Sequence, residues 1–368
     1  MPKSLTFLIE LDFPTERAYA KNVVSTLDIL TERGVEVNVF AGRSKTSLEE
    51  IRTQYDIGEA MSFNFSSVPN IPGKLILMGL LHFAKVLFKK NTVISGRFIV
   101  PIYFLSFFRK VNFEYHSPLW KQGEIYHFMF KRLMKSARCK SIVVPNKNLY
   151  LDFFETFPKY SAYREKIFLV SNGASVKDIS IEKPESTAEL NLGYIGSFYP
   201  GKGLEIIEEL SRKVNNCKFH LAGGPVKNLK ENHPGLLENS SVQYHGYLST
   251  KEIDQLAQKV DVFLLPNAES IKTGAKSDIG RYTNPLKLFE YMSYYRPIIC
   301  SDLDYLKDVL GDLGLYCSST EDWLEAMSKL QDTALRKDYA KKIKDKFLSD
   351  YTITQRAKNI ESILLSQV

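Results

Sequence analysis

The feature that most constrains this chain is an alternation of short apolar runs with helix-length segments, which breaks once and then resumes. LTFLIEL opens the chain as a strand, and Thr15–Arg33 is a helix-length polar/apolar mixture ended by Gly34. VEVNVFA then alternates with the period of a strand. A second cycle runs through KLILMGLLHFAKVLFKK, TVISG, FIVPIYFLSFFRK and VNFEYH. A third follows with a helix near Glu124–Ser136, the strand SIVVP, a helix near Lys147–Phe157, and KIFLVSNG. Parallel strands need long crossovers, so this rhythm implies a parallel sheet with helices on both faces.

The break is SVKDISIEKPESTAE, a polar stretch with Pro184 that reads as a linker. Beyond it come LNLGYIGSF, a helix near Leu204–Val214, KFHLAG, VQYHGY, a helix near Thr250–Gln258, and VDVFLLP. A polar loop, a helix from about Pro285, PIICSD, and helices to the end complete the chain. At 368 residues two ordinary domains are expected, with boundaries at 1–182 and 183–350 and a ligand cleft between them.

Composition narrows the class. The chain is 44% hydrophobic and 25% charged, as in water-soluble globular proteins. MPKSLTFLIELDF meets acids too soon for a secretory signal. Cys139, Cys217, Cys300 and Cys317 lack disulfide-framework or metal-site spacing, so a cytoplasmic location is expected. Apolar residues 75–88 and 98–108 are too short to span a bilayer, which takes about 20 residues, although surface attachment is compatible with them. Residues 1–185 carry 26 Lys/Arg against 18 Asp/Glu, and residues 186–368 carry 23 against 24. The excess is densest from Arg109 to Lys140, among aromatic residues. That patch fits a solvated helix face, an anionic lipid surface or a phosphorylated acceptor, and it matches no nucleic-acid recognition motif.

The chemistry concentrates in TNPLKLFEYM, residues 283–292. Asn284 suits a helix N-cap and Pro285 the first helical position. The backbone N–H groups near Leu286 and Lys287 then form the positive end of a helix, a site for a diphosphate. Glu290 lies on the Leu286 face, where its carboxylate can take two ribose hydroxyls. GYIGSFYPGKGLEII adds a strand, a glycine-bearing loop and Lys202, whose ammonium can neutralise a phosphate. It matches neither the dinucleotide nor the P-loop fingerprint, and the first strand leads into ELDFPTERA without a glycine-rich turn, which disfavours a dinucleotide oxidoreductase.

These segments, with KFHLAGGP, VQYHGYLSTKEI, VDVFLLPN and NPLKLFEYMSYYRPIICSD, resemble the retaining family-4 glycosyltransferases, and the likeness runs through most of the chain. It implies the GT-B fold: two Rossmann-like domains facing each other across a cleft, with YTITQRAKNIESILL as a C-terminal helix (about 351–368) crossing back to the first domain. It implies a nucleotide diphosphate sugar as donor, a UDP- or GDP-sugar, and no obligatory cofactor or metal. Lys202 would bind the diphosphate and Glu290 the ribose. Gly196, Ser197, Gly223, Arg281, Tyr282, Asn284, Pro285, Leu286 and Lys287 would line the donor site. FEYHSP resembles the strand end that carries a cleft-facing histidine, which implicates His116, with Glu114 in a supporting role. The implied reaction is sugar transfer with retention to an acceptor hydroxyl in cell-surface polysaccharide, lipopolysaccharide or glycolipid assembly. The basic, aromatic-laced first half fits a glycan or lipid-linked acceptor at the inner membrane surface, with a soluble acceptor as the alternative. A sugar-nucleotide epimerase and a non-catalytic scaffold of the same fold are the alternatives.

Two positions depart from the family pattern. Tyr282 stands where a second Glu would contact the donor sugar, and Ser197 where an Arg would join Lys202 on the phosphates. Lys276, Asp278 and Arg281 are candidates to compensate. SDLD, residues 301–304, has the spacing of a metal-binding Asp-x-Asp but follows a strand, so Asp302 and Asp304 read as loop acids.

Overall fold

A computed structural model describes residues 4–365 apart from 16, 182–188, 270–271, 274–276, 279–281 and 283. The chain divides into two compact units, Met1–Gly173 with Ile353–Val368, and Ala174–Thr352.

The first unit runs β1 (Ser4–Leu8), α1 (Ala18–Glu32), β2 (Glu36–Ala41), α2 (Leu48–Tyr55), β3 (Ser62–Phe65), α3 (Lys74–Leu87) and β4 (Val93–Gly96). It continues with α4 (Ile99–Leu105), β5 (Val111–Glu114), α5 (Glu124–Lys135), β6 (Cys139–Val144), α6 (Lys147–Thr156) and β7 (Ile167–Leu169). All its strand pairs are parallel, in the orders β3-β2-β1-β4 and β5-β6-β7. A side chain bridges the seam between the two sheets: buried Asn112 on β5 donates to the Ile94 carbonyl on β4 at 3.1 Å and accepts from Ser141 Oγ at 2.7 Å.

The second unit runs β8 (Leu190–Ile195), α7 (Leu204–Lys213), β9 (Cys217–Ala222), α8 (Val226–Asn232), α9 (Gly235–Glu238), β10 (Val242–Gly246), α10 (Thr250–Lys259) and β11 (Val262–Leu265). After the two-residue strands β12 (Lys272–Thr273) and β13 (Ser277–Asp278) come α11 (Leu286–Ser293), β14 (Ile298–Ser301), α12 (Asp304–Leu310), β15 (Gly314–Cys317), α13 (Thr320–Lys329) and α14 (Thr333–Lys346). Its six-stranded sheet is parallel throughout, in the order β10-β9-β8-β11-β14-β15. Strand order therefore reverses beside β8, and the mouth next to such a switch is where open α/β sheets bind ligands.

The last helix, α15 (Ile353–Leu365), belongs to the first unit and packs on α1, where Ala357 and Leu364 join Val23, Val24 and Leu27 in one buried cluster. Burying each large apolar side chain there contributes roughly 1.5–3 kcal/mol. Helix starts are written in the sequence: Ser249 and Glu252 form a reciprocal capping box on α10, and Ser319 and Asp322 form another on α13.

The alternation of the sequence did not signal α2, β3, α8 or α9. Residues 314–317 fall in the stretch expected to be helical, yet they form the edge strand β15, parallel to β14. Four residues, GLYC, are too few to show a strand period, and only their pairing with β14 defines them. Helix α1 begins at Ala18 rather than Thr15, because Tyr55 ties down Thr15: its hydroxyl accepts from the Thr15 N–H at 2.9 Å and donates to the Thr15 carbonyl at 3.0 Å.

Candidate active site

In the second unit the C-terminal ends of three neighbouring strands form one floor. The Gly196 N–H donates to the Ala222 carbonyl at 2.7 Å, and the Gly223 N–H to the Gly246 carbonyl at 2.8 Å. Gly196 follows β8 directly, and a Cβ there would lie 1.4 Å from Lys287 Nζ. The missing side chain is the space the Lys287 stem occupies. Gly203, at the start of α7, has φ +77°, and a Cβ on it would lie 1.7 Å from the Pro266 carbonyl oxygen. Only glycine fits that backbone, which holds Lys202 directly before the N-cap of the helix.

Helix α11 is fastened to the same strand end. The buried Tyr291 hydroxyl accepts from the Ile195 N–H at 2.9 Å and donates to the Ile195 carbonyl at 3.1 Å. Its ring stacks on Phe263, centroids 4.2 Å apart. The helix begins at Leu286 with Pro285 as N-cap, one residue later than Asn284 as cap and Pro285 as first helical residue would give. Pro285 keeps an extended ψ of 118°, so the α-conformation starts only after it. The Leu288 N–H turns back to the Pro285 carbonyl at 3.0 Å, while helix geometry leaves the Leu286 and Lys287 N–H groups without intrahelical acceptors. Glu290 is exposed, one turn further on and on the face of Lys287.

Lys287 was expected to contribute backbone alone, yet its side chain reaches the centre of the site. Nζ donates to Tyr194 Oη at 3.0 Å and lies 4.3 Å above the Tyr194 ring. Tyr194 Oη in turn donates to the Ser197 carbonyl at 2.8 Å, which fixes the strand-end turn. Burial pushes Lys287 down to about 7, and the nearby Lys202 ammonium pushes the same way against the pull of Glu290. Lys202 is also partly buried and lowered by desolvation. Two partly desolvated ammonium groups, backbone donors at a glycine turn and a helix N-terminus make an anion cradle, with one carboxylate beside it.

Gly196, Ser197, Lys202, Gly223, Leu286, Lys287 and Glu290 therefore belong to one locality, and Asn284 and Pro285 lead into its helix. Tyr282 is buried, with 5% of its surface exposed. Arg281 and Lys276 lie outside the described residues, as does the side chain of Asp278. Asp302 forms an ion pair with Lys307, and Asp304 opens α12.

In the first unit His116 lies just past β5. Its Nε2 is 2.6 Å from Glu114 Oε1, and Arg356 from α15 binds the same oxygen at 2.5 Å. Arg356 also donates to the Val170 and Ser171 carbonyls, at 3.0 and 2.9 Å. Arg356 holds Glu114 well below the usual carboxylate range despite its burial. Burial, with Arg97 nearby, pushes His116 down to about 3. An ionised Glu114 can only accept, so the neutral imidazole donates from Nε2 and keeps Nδ1 as an acceptor. Beside it, Arg97 sits 4.4 Å over the Tyr19 ring, and the Tyr19 hydroxyl donates to Glu10 Oε1 at 3.0 Å. Glu10 Oε2 is buried with no hydrogen-bond partner among the described residues.

Sequence reasoning missed the Lys287 ammonium, Tyr194, Tyr291, Arg97 and Arg356. Arg97 carried one usable signal, its place directly after the strand TVISG, at the strand end where α/β sheets bind ligands.

Residues 189–333, the span that holds the cradle, match the glycosyl transferases group 1 family. No curated protein matches the chain by sequence. Among solved structures it is similar to the lipopolysaccharide outer core galactosyltransferase WaaB in its apo form, at 14% identity and TM-score 0.69, covering 99% of this chain and 100% of that one. A glycosyltransferase from Rickettsia africae aligns at 13% identity and TM-score 0.73, covering 99% and 98%. Anabaena HepE in complex with UDP and glucose aligns at 13% identity and TM-score 0.68, covering 99% and 100%. At such identities the likeness shows the fold, while the family match rests on residues 189–333. The chain is a glycosyltransferase of the GT-B fold, with a glycosyl transferases group 1 domain at residues 189–333.

Proposed function

We propose that the protein transfers a sugar, with retention at the anomeric carbon, from a nucleotide diphosphate sugar to a hydroxyl of a glycan or lipid-linked acceptor. The observation that carries this reading is the pair Lys202 and Lys287 beside the α11 N-terminus, with Glu290 one turn along that helix. The diphosphate lies in the cradle, and its developing negative charge, as the bond from the sugar to the diphosphate oxygen breaks, meets both ammonium groups and the Leu286 and Lys287 N–H groups. Glu290 accepts hydrogen bonds from the ribose. His116 acts as a neutral group: with Nε2–H held by Glu114, Nδ1 accepts from a hydroxyl of the transferred sugar or acceptor.

Lys287 takes the charge that the family pattern places at the position of Ser197, so the altered strand end remains compatible with donor binding. UDP is the favoured nucleotide, since HepE, which shares the fold, is complexed with UDP and glucose. Assembly of cell-surface polysaccharide or lipopolysaccharide on the cytoplasmic side of a membrane is the setting we favour, in line with the likeness to WaaB.

The test is calorimetric titration with UDP, GDP, CDP and ADP, with and without magnesium, on the wild type and Glu290→Ala. One nucleotide is expected to bind without metal, with affinity reduced about 10- to 100-fold in the variant, as for a lost charged hydrogen bond. If none of the four binds, the chain is a non-catalytic member of the fold and the reading fails.

A further inference from the structure

Helix α3 is apolar on both sides. Its inward face, Met78, Gly79, His82 and Val86, is buried, and Gly79 brings it so close to α4 that a Cβ there would stand 2.4 Å from Val100 Cγ1. The opposite stripe, Leu77, Leu80, Leu81 and Ala84, ends just past the helix in Phe88, which is 81% exposed. These positions follow the i, i+3, i+4, i+7, i+11 spacing of one helix face. A helix buried on one side has no packing reason to carry leucines on the other.

The surface continues beyond α3. Phe83 contacts Phe104 and Phe108, with centroids 5.8 and 6.1 Å away, and Tyr103 on α4 contacts Phe107 and, on α5, Phe128. Phe108 and Phe128 are 61% and 59% exposed. Of the 18 large hydrophobic residues exposed among the described residues, 11 fall between residues 71 and 128. Scattered exposed hydrophobics are ordinary, but a contiguous patch marks an interface.

Charge identifies the occupant. Residues 60–140 contain 13 Lys/Arg, of which Arg97 turns in over the Tyr19 ring and Lys74 pairs with Asp12, against 2 Asp/Glu, of which Glu114 is buried against Arg356. Lys90 follows Phe88 on the rim, and Arg132 on α5 lies 5.9 Å from the Phe107 ring. A protein partner for leucines and phenylalanines would need no cationic rim of this density, whereas an anionic bilayer offers acyl chains at the centre and phosphates at the edge. No helix among the described residues is long and apolar enough to cross a membrane. The 14-residue α3 measures about 21 Å, against about 30 Å of hydrocarbon.

We infer that the α3–α4–α5 face is a membrane-docking surface. Helix α3 lies in the plane of an anionic leaflet, with Leu77, Leu80, Leu81 and Phe88 among the acyl chains and the lysines and arginines at the phosphates. The inference deepens the lipid-linked acceptor reading, but its test measures lipid partition and not sugar transfer, so either can fail alone.

The full chain is floated with vesicles of neutral phosphatidylcholine, or of 70% phosphatidylcholine with 30% phosphatidylglycerol. Partition into the anionic vesicles is expected, weakened by 0.5 M salt. Leu77→Gln/Leu80→Gln/Leu81→Gln should lower it by about 100-fold or more, as for three apolar side chains partly withdrawn from water. Lys90→Gln/Lys131→Gln/Arg132→Gln should lower it by roughly 100-fold, at about fivefold per charge. In a separate measurement, Phe88→Trp should gain emission quenched by brominated acyl chains, after subtraction of wild-type fluorescence. Absence of partition, partition unchanged in the leucine variant, or unquenched Trp emission would each overturn the inference. A wild-type dimer that the leucine variant disperses, without vesicle binding, would overturn it in favour of a second copy of the chain.

Discussion

Replacing Lys287 with methionine keeps a stem over Gly196 and removes the charge. The ammonium is partly buried, stands near a second cation, and is held at about 7 while no anion is present. At pH 8 a group with that value is about one tenth protonated. A diphosphate in the cradle supplies the missing counter-charge and draws the group back toward its ordinary 10.5. Binding at pH 8 should therefore take up about 0.9 proton. The assay is titration calorimetry of the nucleoside diphosphate in two buffers of different ionisation enthalpy, since the slope of observed enthalpy gives the protons taken up. Affinity should fall as pH rises from 7 to 9. In Lys287→Met the uptake should vanish, and affinity at pH 6.5 should drop about 10- to 100-fold, as for one charge-assisted hydrogen bond. The same group sets a pH slope on stability. Between about 7 and 10.5 the unfolded chain binds more protons at Lys287 than the folded chain, so stability should rise with pH across that window in the wild type and rise less in the variant. A buffer-independent enthalpy in the wild type, or undiminished uptake in Lys287→Met, would refute the assignment.

Tyr291→Phe removes a hydroxyl that serves both the N–H and the carbonyl of Ile195, a residue buried in the core beneath α11. A loss of about 1–3 kcal/mol is expected, read in denaturant melts, with weaker nucleotide binding because α11 is no longer fastened to β8. Arg356→Met leaves the buried Glu114 carboxylate without its strongest partner, which should cost about 3–5 kcal/mol, and Glu114→Gln in the same chain should restore much of that loss. If the double variant is no more stable than Arg356→Met, Glu114 does not depend on the arginine's charge.

How much of the site was legible in the sequence can be judged residue by residue. Glycines, prolines and helix starts act through the local backbone, so NPLKLFEYM and GYIGSFYPGKG announced an anion site before any packing was known. Glu290 could be placed because helical spacing fixes which face it shares with Leu286. The start of α11 was off by one residue, an error common where capping geometry decides the boundary. The edge strand β15 was invisible because it exists only by pairing with β14.

By itself the sequence determined the alternation of strands and helices, the two α/β units, and the backbone that receives an anion, because period and backbone restriction are properties of consecutive residues. Tertiary structure decided the rest. It laid Lys287 over Gly196, 91 positions away, used Tyr194 and Tyr291 to lock strand to helix, and brought Arg356 from the C-terminal helix onto Glu114, while burial and the nearby Arg97 keep His116 neutral. It also turned the leucines of α3 outward, where composition alone would have buried them. Those outcomes depend on which surfaces meet once the sheets form, and on the desolvation and charge each side chain finds there, none of which is encoded in spacing along the chain.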